Sequence, residues 1–160
     1  GIPGVEVANY NSPEQTVISG TAKGVARATE VLKGHRARVV SLQVSAPFHS
    51  SLMRPARDRL HADLLQVELY PPRFPVYSNV LAQPETRPAL IRELLLEQIT
   101  HAVRWVEILQ HLKEKGVSTF LEFGSGKVLT GLVGRTLEGV EARALTNPQE
   151  IVESLALVRG

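Results

Sequence analysis

The 160-residue chain contains no cysteine. That excludes disulfides, thiolate nucleophiles and cysteine-ligated metal sites together. It also fits a reducing compartment, so a cytoplasmic protein is expected. No apolar run approaches the roughly 20 residues that a membrane helix needs, so no membrane partner is expected. The opening GIPGVEVANY carries neither the basic stretch nor the apolar stretch of a secretory leader. Net charge is only +2, from 18 basic and 16 acidic residues. The arginines are scattered rather than gathered into a stripe, which argues against nucleic acid. HxxxH and HExxH do not occur, and neither does GxSxG. His35, His61, His101 and His111 therefore have no partner at metal spacing, and no metal site is expected.

What is present reads as alternating strands and helices with short punctuation. VEVANY and QTVIS flank the turn formers of NSPE, which predicts a hairpin. Ala22, Val25, Ala28 and Leu32 predict a helix over residues 21–33, with Gly34 as its stop. Val40, Leu42 and Val44 alternate with polar residues, which predicts a half-buried strand. Met53, Ala56, Leu60, Leu64 and Val67 follow at spacings of three and four, and Pro55 fits only the first turn of that helix. PVYSNV predicts a short strand, and a helix then opens with Thr86 as cap and Pro88 in its first turn. A further helix over 103–115 centres on Trp105, a buried strand VSTFLEFG follows, and SGK leads into the helix VLTGLVGRTL. ARALT is the last strand. Asn147, Pro148 and Glu150 make a helix start with an Asn cap, Pro at N1 and an acid at N3. The fold class is α/β, with most crossovers consistent with a parallel sheet.

Three stretches invite chemistry. SAPFHSSLM places His49 in the connection from the alternating segment to the helix after it, where α/β proteins commonly meet ligands. An imidazole titrates near neutrality and suits proton transfer to and from a serine. On local chemistry two readings stand: a catalytic base, or a helix-start histidine whose neighbours Ser50 and Ser51 cap the helix. Neither serine has the flanking glycines of an activated nucleophile, so capping is expected of them. FGSGK at 123–127 departs from the full phosphate-loop pattern, because Val128 stands where Ser or Thr would be required. A tight turn is expected there. Gln98 falls on the helical face of Ile91, Leu94 and Leu95, where a polar amide needs partners.

Together these segments resemble the malonyl-CoA:acyl carrier protein transacylases of fatty-acid synthesis. ANYNSPEQTVISG, SAPFHSSLMRPA, PVYSNV, VRWVEILQHLKEKGV, FLEFGSGKVLTGL and ALTNP are similar to family segments in the same order. The resemblance implies a two-step transfer. A serine takes malonyl from coenzyme A as an ester, and the phosphopantetheine thiol of acyl carrier protein then accepts it. It implies that His49 is the general base and acid, and that the backbone carbonyl of Gln98 orients it. Asn9 and Asn11 match positions near the acyl and pantetheine pocket. Phe48 resembles malonyl-selective members. No bound cofactor is implied, since malonyl-CoA is the substrate. The implied partners are acyl carrier protein and the coenzyme A thioester, and the complete protein would be a monomer.

The departures shape the expectation. The family's nucleophile in a GHSxGE elbow and its malonate-binding arginine lie upstream of the matched segments, as do the first strand and helix of its small subdomain. Ser125 stands where the family usually has proline, and Ala102 where proline often precedes the Trp segment. The chain thus resembles the C-terminal half of a transacylase, expected to be inactive alone. Residues 1–45 would be most of a ferredoxin-like small subdomain. Residues 46–160 would be the C-terminal part of the α/β hydrolase-like large subdomain. A non-catalytic carrier-binding module and a phosphate-binding domain are the alternatives.

Overall fold

A computed structural model describes residues 1–158, and they divide into two compact units, Gly1–Ile108 and a second that begins at Leu109. The first unit opens with the expected hairpin, β1 (Val5–Ser12) antiparallel to β2 (Gln15–Gly20). Its register shifts between Val7 and Asn9, which leaves Ala8 as an extra residue on β1. The Ala8 carbonyl accepts from Val103 N at 2.8 Å, and Tyr10 N donates to the Val103 carbonyl at 2.9 Å. A later segment is thereby fastened to β1. Helix α1 (Ala22–Gly34) follows, capped by Thr21 Oγ1 accepting from Gly24 N at 3.0 Å. Gly24 is required by packing, since a Cβ there would lie 2.5 Å from the Gly4 carbonyl oxygen.

Val40, Leu42 and Val44 form no strand among the described residues and stand 64%, 55% and 62% exposed. The expected half-buried strand is therefore a correction. Alternation marks which side chains could share a face, but a strand also needs a neighbour to take its N–H and C=O groups. Helix α2 (Arg54–Gln66) begins after a 3-10 turn at Ser51–Met53, with Pro55 in its first turn as expected. A two-residue pair, β3 (Val76–Tyr77) with β4 (Pro84–Glu85), is antiparallel.

Helix α3 (Pro88–Glu97) has Arg87, not Thr86, at its cap position. No side chain caps α3; the Glu85 carboxylate instead braces the turn before it, accepting from Thr86 N and Arg87 N, both at 2.8 Å, and from Arg87 Nε at 2.9 Å. Its pKa is pulled from 4.5 to about 2, chiefly by the Arg87 side chain. Helices α2 and α3 are joined by an Arg57–Glu97 ion pair at 2.5 Å and by Arg92 donating to the Leu64 carbonyl.

Helix α4 (Trp105–Glu114) runs across the boundary between the units. In the second unit, β5 (Thr119–Phe123) is parallel to β6 (Glu141–Leu145), with α5 (Val128–Thr136) as the crossover. This is one βαβ unit, and the parallel sheet expected for most crossovers is limited to it among the described strands. β5 is also less buried than expected, with Phe123 64% exposed. Leu132, Val133 and Leu145 are buried and form the core of that unit. Helix α6 (Pro148–Val158) starts as expected: Glu150 N donates to Asn147 Oδ1 at 3.0 Å, and the Glu150 carboxylate takes Thr146 N at 2.6 Å. No described helix is long and apolar enough to cross a membrane.

Candidate active site

His49 sits between Phe48 and the 3-10 turn with a φ of +58°. That left-handed conformation is uncommon outside glycine and is held only where the surroundings over-determine it. The surroundings are specific. Ser50, fully buried, donates its hydroxyl back to the Pro47 carbonyl at 2.6 Å and so closes a loop around His49. On the far side, Ser51 N lies 3.1 Å and 3.2 Å from the two carboxylate oxygens of Glu6 on β1. The Ser51 hydroxyl donates to the same carboxylate at 2.5 Å. Ser50 thus occupies the cap position without capping through its side chain, and Glu6 takes over that task. The capping expected of the two serines is corrected in this respect.

The His49 ring is held from α3. Its Nδ1 lies 2.8 Å from the carbonyl oxygen of Gln98, the residue that closes that helix. A carbonyl can only accept, so Nδ1 carries the proton and Nε2 keeps a lone pair. The last carbonyls of a helix have no partner within it, and here the imidazole supplies one. The side chain of Gln98 is satisfied separately, its Oε1 accepting from Asn79 Nδ2 at 2.9 Å. It lines a small cavity with Ile91, Leu94 and Leu95, the residues whose face it shares in the sequence.

His49 and Gln98 also line a groove of ≈ 400 Å³ whose other walls are Phe48, Met53, Ala56, Leu60 and Ile99. Apolar walls with two polar groups are the usual make-up of a small-molecule site. One nitrogen able to take a proton, in a fixed tautomer beside such a groove, can act as a general base. Neither adjacent serine is its partner, since both hydroxyls donate elsewhere.

Asn9 and Asn11 lie two residues apart on β1, both half-buried, and are not among the residues lining this groove. The FGSGK turn holds Gly124 and Gly126 at positive φ, as a tight turn requires. The helix after it already has an anion: the Glu122 carboxylate accepts from Leu129 N at 3.0 Å, and from Thr130 N and Thr130 Oγ1, each at 2.7 Å. Those bonds, the Thr130 N–H first among them, hold the Glu122 carboxyl below its ordinary range. The donors that would receive a phosphate are spent on the chain's own carboxylate.

Asn79 and Glu6 carry the site's support, yet neither was singled out in the sequence. Their partners lie 19 and 45 residues away, and no local spacing announces such bonds.

The family model for the acyl transferase domain matches residues 1–154. The chain belongs to this family. Among relatives of the acyl transferase domain, the malonyl CoA-acyl carrier protein transacylase of Bacillus subtilis (strain 168) is 45% identical over 148 residues. The match covers 92% of the chain and 47% of that protein. The transacylase of the same name from Escherichia coli (strain K12) is 38% identical over 154 residues, 96% of the chain and 50% of the relative. The crystal structure of an acyl-carrier-protein-S-malonyltransferase from Bartonella henselae superposes with a TM-score of 0.93 at 42% identity, covering 98% of this chain and 50% of that one. A malonyl-transacylase solved in complex with its type II PKS acyl-carrier protein matches with a TM-score of 0.90 at 38% identity, over 96% and 50% of the two chains. The chain therefore spans about half the length of the curated relatives it matches.

Proposed function

We propose that this chain supplies the base half of a malonyl-CoA:acyl carrier protein transacylase site in fatty-acid synthesis. In this reading a serine hydroxyl from outside the 160 residues attacks the malonyl thioester carbonyl while His49 Nε2 takes its proton. The C–S bond to coenzyme A breaks, and the imidazolium returns the proton to the departing thiolate. The phosphopantetheine thiol of acyl carrier protein then attacks the malonyl ester, with His49 taking the thiol proton and handing it to the serine oxygen. No cofactor enters either half-reaction. Gln98 acts only through its backbone, as a neutral orienter in place of the carboxylate of a Ser-His-Asp triad. Asn9 and Asn11 are the proposed contacts toward the acyl and pantetheine groups, supported by their shared half-buried positions on β1.

Residues 1–45 are assigned to a ferredoxin-like small subdomain and 46–160 to the α/β hydrolase-like large one, in a cytoplasmic protein that is monomeric when complete. The names borne by the relatives, and the solved complex of one structural neighbour with an acyl-carrier protein, support the choice of substrate and partner.

The observation that carries the proposal is the 2.8 Å bond from His49 Nδ1 to the Gln98 carbonyl, made by a histidine in a left-handed backbone. Intact-mass measurement after mixing the chain with malonyl-CoA tests it. No malonyl adduct is expected, because Ser50 and Ser51 are committed to other acceptors. A stable adduct on either serine would overturn the assignment.

A further inference from the structure

The proposed transfer needs the Gln98 carbonyl to stay on His49 through both half-reactions. A helix end offers a poor guarantee of that, since its last turn frays most readily. Beyond α3 the chain tightens into two three-residue bonds, Ile99 N to the Leu96 carbonyl at 3.2 Å and Thr100 N to the Glu97 carbonyl at 3.1 Å. Gln98 N still donates to the Leu94 carbonyl at 3.0 Å, and the side chain adds a second anchor from another segment through the 2.9 Å bond from Asn79 Nδ2.

Asn79 is in turn held by its surroundings. Its carbonyl accepts from Arg104 N at 3.1 Å, while Arg104 Nη1 donates to the Val80 carbonyl at 3.0 Å. Glu107 fixes the same guanidinium, accepting from Arg104 Nε at 2.7 Å. Ser78 Oγ accepts from Val80 N at 3.1 Å, bracing the turn from the preceding residue. Asn79 and Gln98 share a cavity of ≈ 50 Å³ with Ile91, Leu94 and Leu95, and in such apolar surroundings a satisfied amide pair counts for more than at an open surface.

We propose that Asn79 is a positioning residue for His49: by fastening the Gln98 side chain it keeps the Gln98 carbonyl on Nδ1, and so holds His49 in the tautomer that leaves Nε2 free to accept a proton. This rests on the proposed role of His49, but its test reads a tautomer rather than an activity.

Long-range proton–nitrogen NMR of the 15N-labelled 160-residue chain identifies which imidazole nitrogen is protonated. In the wild type His49 shows the Nδ1–H form. Asn79→Leu shifts the ratio of Nδ1–H to Nε2–H about fivefold toward Nε2–H, the worth of one net hydrogen bond. Gln98→Leu, which keeps the backbone carbonyl, produces the same shift. The double variant goes no further than either single one, since both remove one shared contact. Asn79→Asp restores the wild-type ratio, because the Gln98 amide turned over donates to the new carboxylate.

An unchanged tautomer in a folded Asn79→Leu chain overturns the proposal, and so does a double variant equal to the sum of the singles. Where Asn79→Leu fails to fold, Gln98→Leu decides on the same terms, and a wild-type ratio there is equally fatal. Failure of the catalytic assignment shows elsewhere: turnover would then withstand His49→Ala while these tautomer responses stood.

Discussion

Two connections in this chain look alike in sequence, each leading into a helix with small or polar residues and a titratable group. The 45–53 segment carries His49, and the 123–127 segment carries Lys127 between a glycine turn and α5. The structure separates them by what is left over once internal hydrogen bonds are assigned. At α5 the chain's own Glu122 fills the N–H groups of Leu129 and Thr130, so the helix start is closed. At His49 the neighbouring groups are also consumed, Ser50 by Pro47 and Ser51 by Glu6, and the ring's Nδ1 by Gln98. One reactive nitrogen remains, beside a groove. A motif becomes a candidate site through its unspent atoms, not through the residue types it contains.

The largest expected effect bears on the catalytic side of this contrast. In a protein joining this chain to a serine-bearing upstream segment, His49→Ala lowers turnover by about a thousandfold or more, as loss of a triad base does elsewhere. Lys127→Ala leaves turnover unchanged. Steady-state assay with malonyl-CoA and acyl carrier protein measures both, and equal losses would erase the distinction.

A smaller effect concerns the Glu6 clamp. Glu6→Ala frees Ser51 N and accelerates amide exchange there by about tenfold, on the scale of one lost hydrogen bond. Protection unchanged at Ser51 would show that the loop holds itself without β1.

The smallest effect is at α5. Because the Glu122 carboxyl is held below its ordinary 4.5, its support of the helix is complete above that pH and is lost as pH falls through its lower folded value. Glu122→Gln removes this acid limb. Amide exchange of Leu129 and Thr130 across that pH range would show it, and identical profiles for variant and wild type would refute the closed helix start.

Local signals carried much of the fold into the sequence. The NSPE turn, Pro55 in a first turn and the Asn147 to Glu150 start each act within a few residues, and each proved legible, whereas α1 runs through the expected stop at Gly34 and the left-handed turn falls at Arg36. His49 with Gln98 was legible only through resemblance, because 49 residues separate the bonded atoms. The failures share one cause. Val40 to Val44 alternate correctly but have no pairing partner among the described residues, and Glu85 takes the N–H groups of Thr86 and Arg87 so that the cap position of α3 falls at Arg87. Ser50 and Ser51 likewise yield theirs to a carboxylate on another element. Propensity says what a residue can do locally, while distant competitors decide which bond forms.

The acceptor that orients His49 is a main-chain oxygen, and every residue type possesses one. No substitution at position 98 can delete it outright, proline included. What places this acceptor at the helix end is the length of α3, counted from Pro88 to Glu97. Inserting or removing one residue in that helix would swing the closing carbonyl by about 100° around the axis and carry it off the imidazole. The site is thus written partly in a residue count: a substitution at Gln98 loosens the carbonyl's hold on the ring, while a shifted frame removes the carbonyl altogether.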